Sequence, residues 1–268
     1  MNSIDIEQGV HIAYELDDFT DPWTQPEAVV FLHGLAEGSV AWKRWVPHFA
    51  RRYHCYSMDQ RGFGKSSSIS ADFPWSIDLQ ADDLATFARR LNIAKFHLVA
   101  AKAGGTSAIR FASRYPGMLK TLSLVSAPVD MEKSLGERIP TWAAMIRASG
   151  TLREYITTSM NNRLGSSVST QAKAWWSEMM ISTPADTMLS VFSSLRSADV
   201  RADLEKIQCP TFIVTTSGNL LGSVEDFKSM QQSISQAKLH VVETDSFHPA
   251  ASHPDECAEQ VALFIAAH

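Results

Sequence analysis

The sequence predicts an α/β architecture, a mostly parallel sheet covered by helices on both faces. Three observations predict it. Short apolar runs rich in β-branched residues recur along the chain, and stretches with apolar residues three and four apart fall between most of them. Tight turns of small residues follow several of the runs, as expected where strands hand over to helices.

The elements follow in order. The opening "IDIEQGVHIAYEL" reads as two short strands joined at Gly9, an antiparallel edge hairpin. "AVVFLHG" (28–34) is a buried strand ending in a glycine turn, "YHCYSMD" (53–59) a second and "FHLVAA" (96–101) a third. "LKTLSLVSA" (119–127), "PTFIVTT" (210–216) and "KLHVVET" (238–244) complete the set. Continuous apolar runs of this kind suit strands covered on both faces. "VAWKRWVPHFARR", "SIDLQADDLATFARRL", "GTSAIRFASRY", "VEDFKSMQQSI" and "PDECAEQVALFIAAH" carry helical spacing. From about Asp130 to Leu204 there is no strand pattern, only helical ones rich in Trp, Met and Ser. The expected organisation is a core of residues 1–129 and 205–268, with a helical cap, 130–204, inserted after the sixth strand.

Composition narrows the function. A net charge of −5 offers no basic surface for nucleic acid and no polybasic membrane anchor. No apolar stretch approaches the roughly 18–20 residues a membrane span needs, and "MNSIDIEQGV" lacks the pattern of a secretory signal. Cys55, Cys209 and Cys257 are scattered and form no CxxC pair, so neither a disulfide framework nor a metal site is expected. A soluble, cytoplasmic protein acting on a small molecule without a cofactor is the expectation. "GKSSSIS" (64–70) lacks the spacing of a phosphate loop. Trp42 and Trp45 read as core, Cys55 as buried and inert, and Asp82-Asp83 as a solvated helix face.

Loops at the C-terminal ends of parallel strands are where such sheets place their chemistry. Read in order, those ends carry "HGLAEGSVAW" (33–42), "DQRGFGKS" (59–66), the turn at Lys102, and "DSFHPAASHPDE" (245–256). This ordered set resembles the α/β-hydrolase superfamily over essentially the whole chain. By that resemblance His33-Gly34 is the oxyanion loop, with the backbone N–H groups of Leu35 and Ala103 as donors. Asp59 to Ser66 matches a structural D-x-R-G-x-G-x-S segment, and His248 falls at the catalytic histidine, with His253 as an alternative. The insertion falls where the family carries its cap, so Trp142, Trp175 and Trp176 are candidate linings of an apolar substrate chamber.

The chain departs from the family at two places. The G-x-S-x-G elbow reads Ala100-Ala101-Lys102-Ala103-Gly104, with lysine in place of the nucleophilic serine. The acid position after "PTFIVTT" holds Asn219, which leaves Asn219 or Asp130 to orient His248. A serine relay is therefore ruled out. A lysine at a helix N-terminus under a cap loses its charge easily, because dipole and burial both disfavour the ammonium. An uncharged amine attacks carbonyl carbon or takes a proton. The expected function is cofactor-independent cleavage of a small, largely apolar carbonyl compound, an ester, a lactone or the C–C bond of a β-dicarbonyl, with His248 as proton shuttle. Two other readings stay open: Lys102 as a fixed cation beside a His248 base, and a non-catalytic binding protein that keeps the pocket.

Overall fold

In the computed structural model, which describes all 268 residues, the opening hairpin forms as its pattern requires. β1 (Asn2–Glu7) turns at Gly9, whose φ of +75 only glycine adopts freely, into β2 (Val10–Asp17). β3 (Glu27–Leu32) carries Val29, Val30 and Phe31, all fully buried. Beyond it come β4 (Tyr53–Met58), α1 (Ile77–Arg90), β5 (Phe96–Ala101), α2 (Ala103–Arg114) and β6 (Leu119–Val125). Between β6 and β7 (Thr211–Thr216) lie five helices: α3 (Met131–Leu135), α4 (Ile139–Ser149), α5 (Arg153–Leu164), α6 (Thr170–Ile181) and α7 (Ala185–Leu195). The chain ends with α8 (Val224–Ser233), β8 (Ala237–Val242), α9 (Pro249–Ser252) and α10 (Pro254–Ala266). No helix is long and apolar enough to cross a membrane.

The strands form one eight-stranded sheet of order β1-β2-β4-β3-β5-β6-β7-β8. Only the pairings of β2 are antiparallel; the strands from β4 to β8 run parallel. Two apolar cores flank it. One joins α1, α2, α8 and the inserted helices to one face. The other packs Trp42, Trp45, Phe49 and α10 against the opposite face. The ends of the insertion are tied together, because Met131 N–H donates to Ala198 O at 3.0 Å and Val200 N–H to Val129 O at 2.8 Å.

Two expectations fail locally. "VAWKRWVPHFARR" is not one helix but two short 3₁₀ turns, Ser39–Trp42 and Val46–His48. Pro47 lacks the N–H that a continuous helix would use there. Trp42 and Trp45 are nevertheless core, packed edge to face with ring centroids 5.2 Å apart. Asp83 is not solvated: it is buried on α1 and accepts two hydrogen bonds from Arg61, at 2.8 and 2.7 Å. The helical spacing of α1 puts Asp83 on the inner face beside Leu84 and Phe87, which the bare pair of acids concealed.

Candidate active site

β5 ends at Ala101 and α2 starts at Ala103, so Lys102 alone makes the bend, at φ 51 and ψ −124. For a residue with a Cβ this backbone is strained, at a cost of about 1–3 kcal/mol, and it persists only where the surroundings enforce it. Lys102 N–H donates to Val125 O and Lys102 O accepts from Gly105 N–H, both at 2.9 Å. The two glycines that follow let the helix seat against its neighbours. A Cβ on Gly104 would lie 2.2 Å from His33 O, and one on Gly105 would lie 2.3 Å from the Ala127 Cβ.

The bend aims Lys102 inward. Its side chain is buried, and Nζ forms an ion pair with Glu37 Oε1, itself buried in the turn after β3. Glu37 Oε1 also lies 3.1 Å from His248 Nε2, and Oε2 accepts from Gly34 N–H at 3.0 Å. The imidazole contact is close but off the line of a good hydrogen bond. His248 follows β8, is held by Ser246 Oγ accepting from its N–H at 2.9 Å, and packs edge to face on Trp176. Three elements far apart in sequence thus bring a lysine, a glutamate and a histidine to one buried point.

Their charges follow from that burial. Desolvation drives the Lys102 amine down while the Glu37 charge opposes it, leaving it at about 8. For Glu37 burial alone would raise the carboxyl, but the Lys102 ammonium and then His248 outweigh it and hold it well below the usual range. Burial, then the Lys102 charge, lowers His248 to about 4. At neutral pH the site holds a carboxylate, a neutral imidazole and an amine that is mostly ammonium. The expected uncharged lysine is corrected on this point, and the reason is Glu37, which sequence reasoning missed. A usable clue was present: a buried lysine needs an anion, and Glu37 is the one acid within "HGLAEGSVAW".

The other candidates fall into groups. Leu35 and Ala103 border the cavity with Lys102, and no loop hydrogen bond uses the Leu35 N–H. His33 and Gly34 do not border it. His33 is turned beneath the loop, where Nε2 accepts from Gln60 N–H at 3.0 Å and Nδ1 sits 2.7 Å from Gly34 O; the Gly34 N–H is taken by Glu37. Asn219 is not an orienter, because its amide nitrogen donates to Thr215 at 2.9 Å and to Ser126 at 3.1 Å, while Oδ1 accepts from Leu221 N–H. Asp130 is not one either; it caps α3 by accepting from Lys133 N–H and pairs with Arg201 at 3.2 Å. His248 Nδ1 has no hydrogen-bond partner in the protein. His253 lies 3.0 Å from Ser252 Oγ, outside the cluster. Asp59 fits the structural expectation, its carboxylate accepting from Ser39 N–H at 2.5 Å and from Lys65 N–H at 2.8 Å.

The cavity over Lys102 encloses about 270 Å³ between the sheet and the inserted helices, with Trp142, Tyr155 and Phe247 among its walls. Trp175 and Trp176 line a different groove, beside Val40 and Ala251, although Trp176 reaches His248. No group of three His, Cys, Asp or Glu side chains has a metal-holding arrangement.

Residues 27–251 match the family model described as the alpha/beta hydrolase fold. The chain belongs to that family. Among α/β-hydrolase relatives, a 2-hydroxy-6-oxononadienedioate/2-hydroxy-6-oxononatrienedioate hydrolase from Burkholderia vietnamiensis is 38% identical over 111 residues, 40% of this chain and 38% of that one. Epoxide hydrolase 1 of Caenorhabditis elegans is 32% identical over 100 residues, 37% of this chain and 25% of its own. The chain therefore matches well under two thirds of the length of either. The bromoperoxidase of Bacillus anthracis superimposes with a TM-score of 0.87 over 100% of this chain and 99% of its own, at 20% identity, which is a likeness of fold.

Proposed function

We propose that this α/β-hydrolase-fold chain is an enzyme that cleaves a small carbonyl compound through an amine nucleophile, Lys102, beneath a cap formed by α3–α7. One observation carries the reading: Lys102 borders a partly apolar cavity and is paired with buried Glu37, which in turn lies 3.1 Å from buried His248. Relatives named as hydrolases of an oxo-dienedioate and of epoxides make a small-molecule bond cleavage the natural setting.

With an amine at about 8, roughly a tenth of the molecules carry the free base at pH 7. For a β-diketone the sequence balances with one water. The amine adds to one carbonyl carbon, and a proton passes from its nitrogen to the new alkoxide. Glu37 relays a second proton, taken up from solvent, to that hydroxyl, which leaves as water and gives a protonated imine. The solvent proton is returned when hydrolysis later frees the lysine. Water adds to the second carbonyl as His248 takes its proton. The C–C bond breaks with its electron pair entering the iminium to form an enamine, and a carboxylic acid leaves. The imidazolium returns its proton to the enamine carbon, and hydrolysis frees the ketone and the lysine. The Leu35 and Ala103 N–H groups face the developing oxyanion.

Borohydride reduction after incubation with pentane-2,4-dione and benzoylacetone tests this by mass spectrometry. The expected result is an adduct on Lys102 that Lys102→Met abolishes, with kcat/KM rising about tenfold per pH unit up to about pH 8. No adduct, with turnover intact in Lys102→Met, overturns the catalytic lysine. The ion pair with Glu37 favours a second reading, Lys102 as a fixed ammonium that stabilises an enolate; there activity falls through pH 8 instead. Ligand binding with no turnover at any pH would mark a binding protein.

A further inference from the structure

The molecule has two buried arginines, and they are treated oppositely. Arg61 is charge-compensated: Asp83 takes two of its donors and Glu7 a third. Arg163 is 4% exposed and pairs with no carboxylate at all. Its Nη2 has only two long contacts to hydroxyls, Ser159 at 3.3 Å and Tyr155 at 3.4 Å, and its Nε has no partner. The guanidinium packs near the rings of Phe247 and Tyr155, with carbon-to-centroid distances of 5.4 and 6.0 Å. A buried, uncompensated cation is costly, and a guanidinium offers five donors in a fork that matches a carboxylate.

Helix α5 shows that this placement is built. Leu152, Ile156, Met160 and Leu164, four apart, anchor it in the apolar core. The adjoining stripe, Tyr155, Thr158, Ser159, Asn162 and Arg163, borders the cavity over Lys102. Where a buried helix face normally carries aliphatic side chains, this one carries hydrogen-bonding groups. Thr158 and Asn162 lie on the exposed side and Arg163 deep within, so the polar stripe runs inward from the cavity mouth.

We infer that the cavity takes a substrate carrying a carboxylate, which Arg163 holds bidentately while the substrate's carbonyl lies at Lys102. The inference rests on the proposed carbonyl chemistry for the carbonyl half only; the anion site stands on Arg163. An oxo-carboxylate with an apolar body satisfies both ends of the cavity. Arg163 is then a binding residue that decides which carbonyl compounds are accepted.

The test is equilibrium binding by calorimetry, which needs no turnover. The probe is 3-benzoylpropionate, a ketone with a carboxylate, compared with its methyl ester. The expected result is at least tenfold tighter binding of the acid, lost in Arg163→Gln while ester affinity stays. The double variant Lys102→Met/Glu37→Gln removes a cation and an anion together, and in it the preference for the acid should persist. That arm keeps the anion site separate from the catalytic lysine, whose failure would appear only in adduct trapping. Equal binding of acid and ester, no binding of either, or a preference that Arg163→Gln retains overturns the inference. So does a preference that disappears with the double variant, since Lys102 would then be the anion's partner. A fold-level readout accompanies it. Arg163→Met should raise Tm, because an unpaired buried cation kept for binding costs stability; a fall in Tm would show that the guanidinium is structural.

Discussion

At the scale of single residues, Glu37 decides how Lys102 behaves. Burial lowers the amine and the carboxylate raises it, so the value of about 8 is a balance between the two. Glu37→Gln keeps the acceptor for the Gly34 N–H but removes the charge. The amine should then titrate lower, and the rising limb of kcat/KM against pH should move to lower pH with it. A limb that stays in place would show that the Lys102 titration does not govern the rate. This residue also marks the limit of the sequence. Lys102 and His248 were legible because each occupies a turn whose position follows from strand order. Glu37 was not, because its role depends on a loop folding back to bring residues 37, 102 and 248 together. Arg163 was hidden for a different reason: in a stretch read only as helical, nothing marks which face turns to a cavity.

At the scale of elements, periodicity recovered all eight strands, because the buried ones, such as β3 and β5, read as short runs that are apolar at almost every position. It failed where backbone chemistry competes, as at Pro47, and where a buried ion pair mimics a surface, as at Asp83. The elbow joining β5 to α2 shows what small residues were saying there. Gly105 lets α2 approach the chain after β6 so closely that an added Cβ would meet Ala127 Cβ at 2.3 Å. Gly105→Ala should therefore cost about 1–3 kcal/mol through overpacking. Gly117, where a Cβ has nothing within 4 Å, is the control: Gly117→Ala should stay within about 0.5 kcal/mol. Denaturant midpoints measure both, and equal effects would show that the elbow is looser than its geometry.

At the scale of the whole molecule, three buried histidines tie stability to pH. His97 lies in β5, while His33 and His248 sit in the loops that follow β3 and β8. Burial is the main cause that lowers each below 6.5, and it takes His248 to about 4. A histidine held neutral in the fold takes up its proton only on unfolding. The histidine contribution is then level above pH 6.5 and falls as pH drops through the window toward 4, where the unfolded chain binds more protons. Full traversal by His248 alone is worth about 3 kcal/mol. Glu37, held well below 4.5 in the fold, contributes only near that value and below, so between pH 6.5 and 5 the histidines dominate over it. Denaturation midpoints should decline across that interval, and less steeply in His248→Gln. The inserted helices share one apolar core with the sheet and are tied at their base, so far-UV and tryptophan signals should decline together in a single transition. A midpoint that is flat from pH 7 to 5 would mean that these imidazoles reach solvent in the folded state, and with it that the floor beneath Lys102 is open to water.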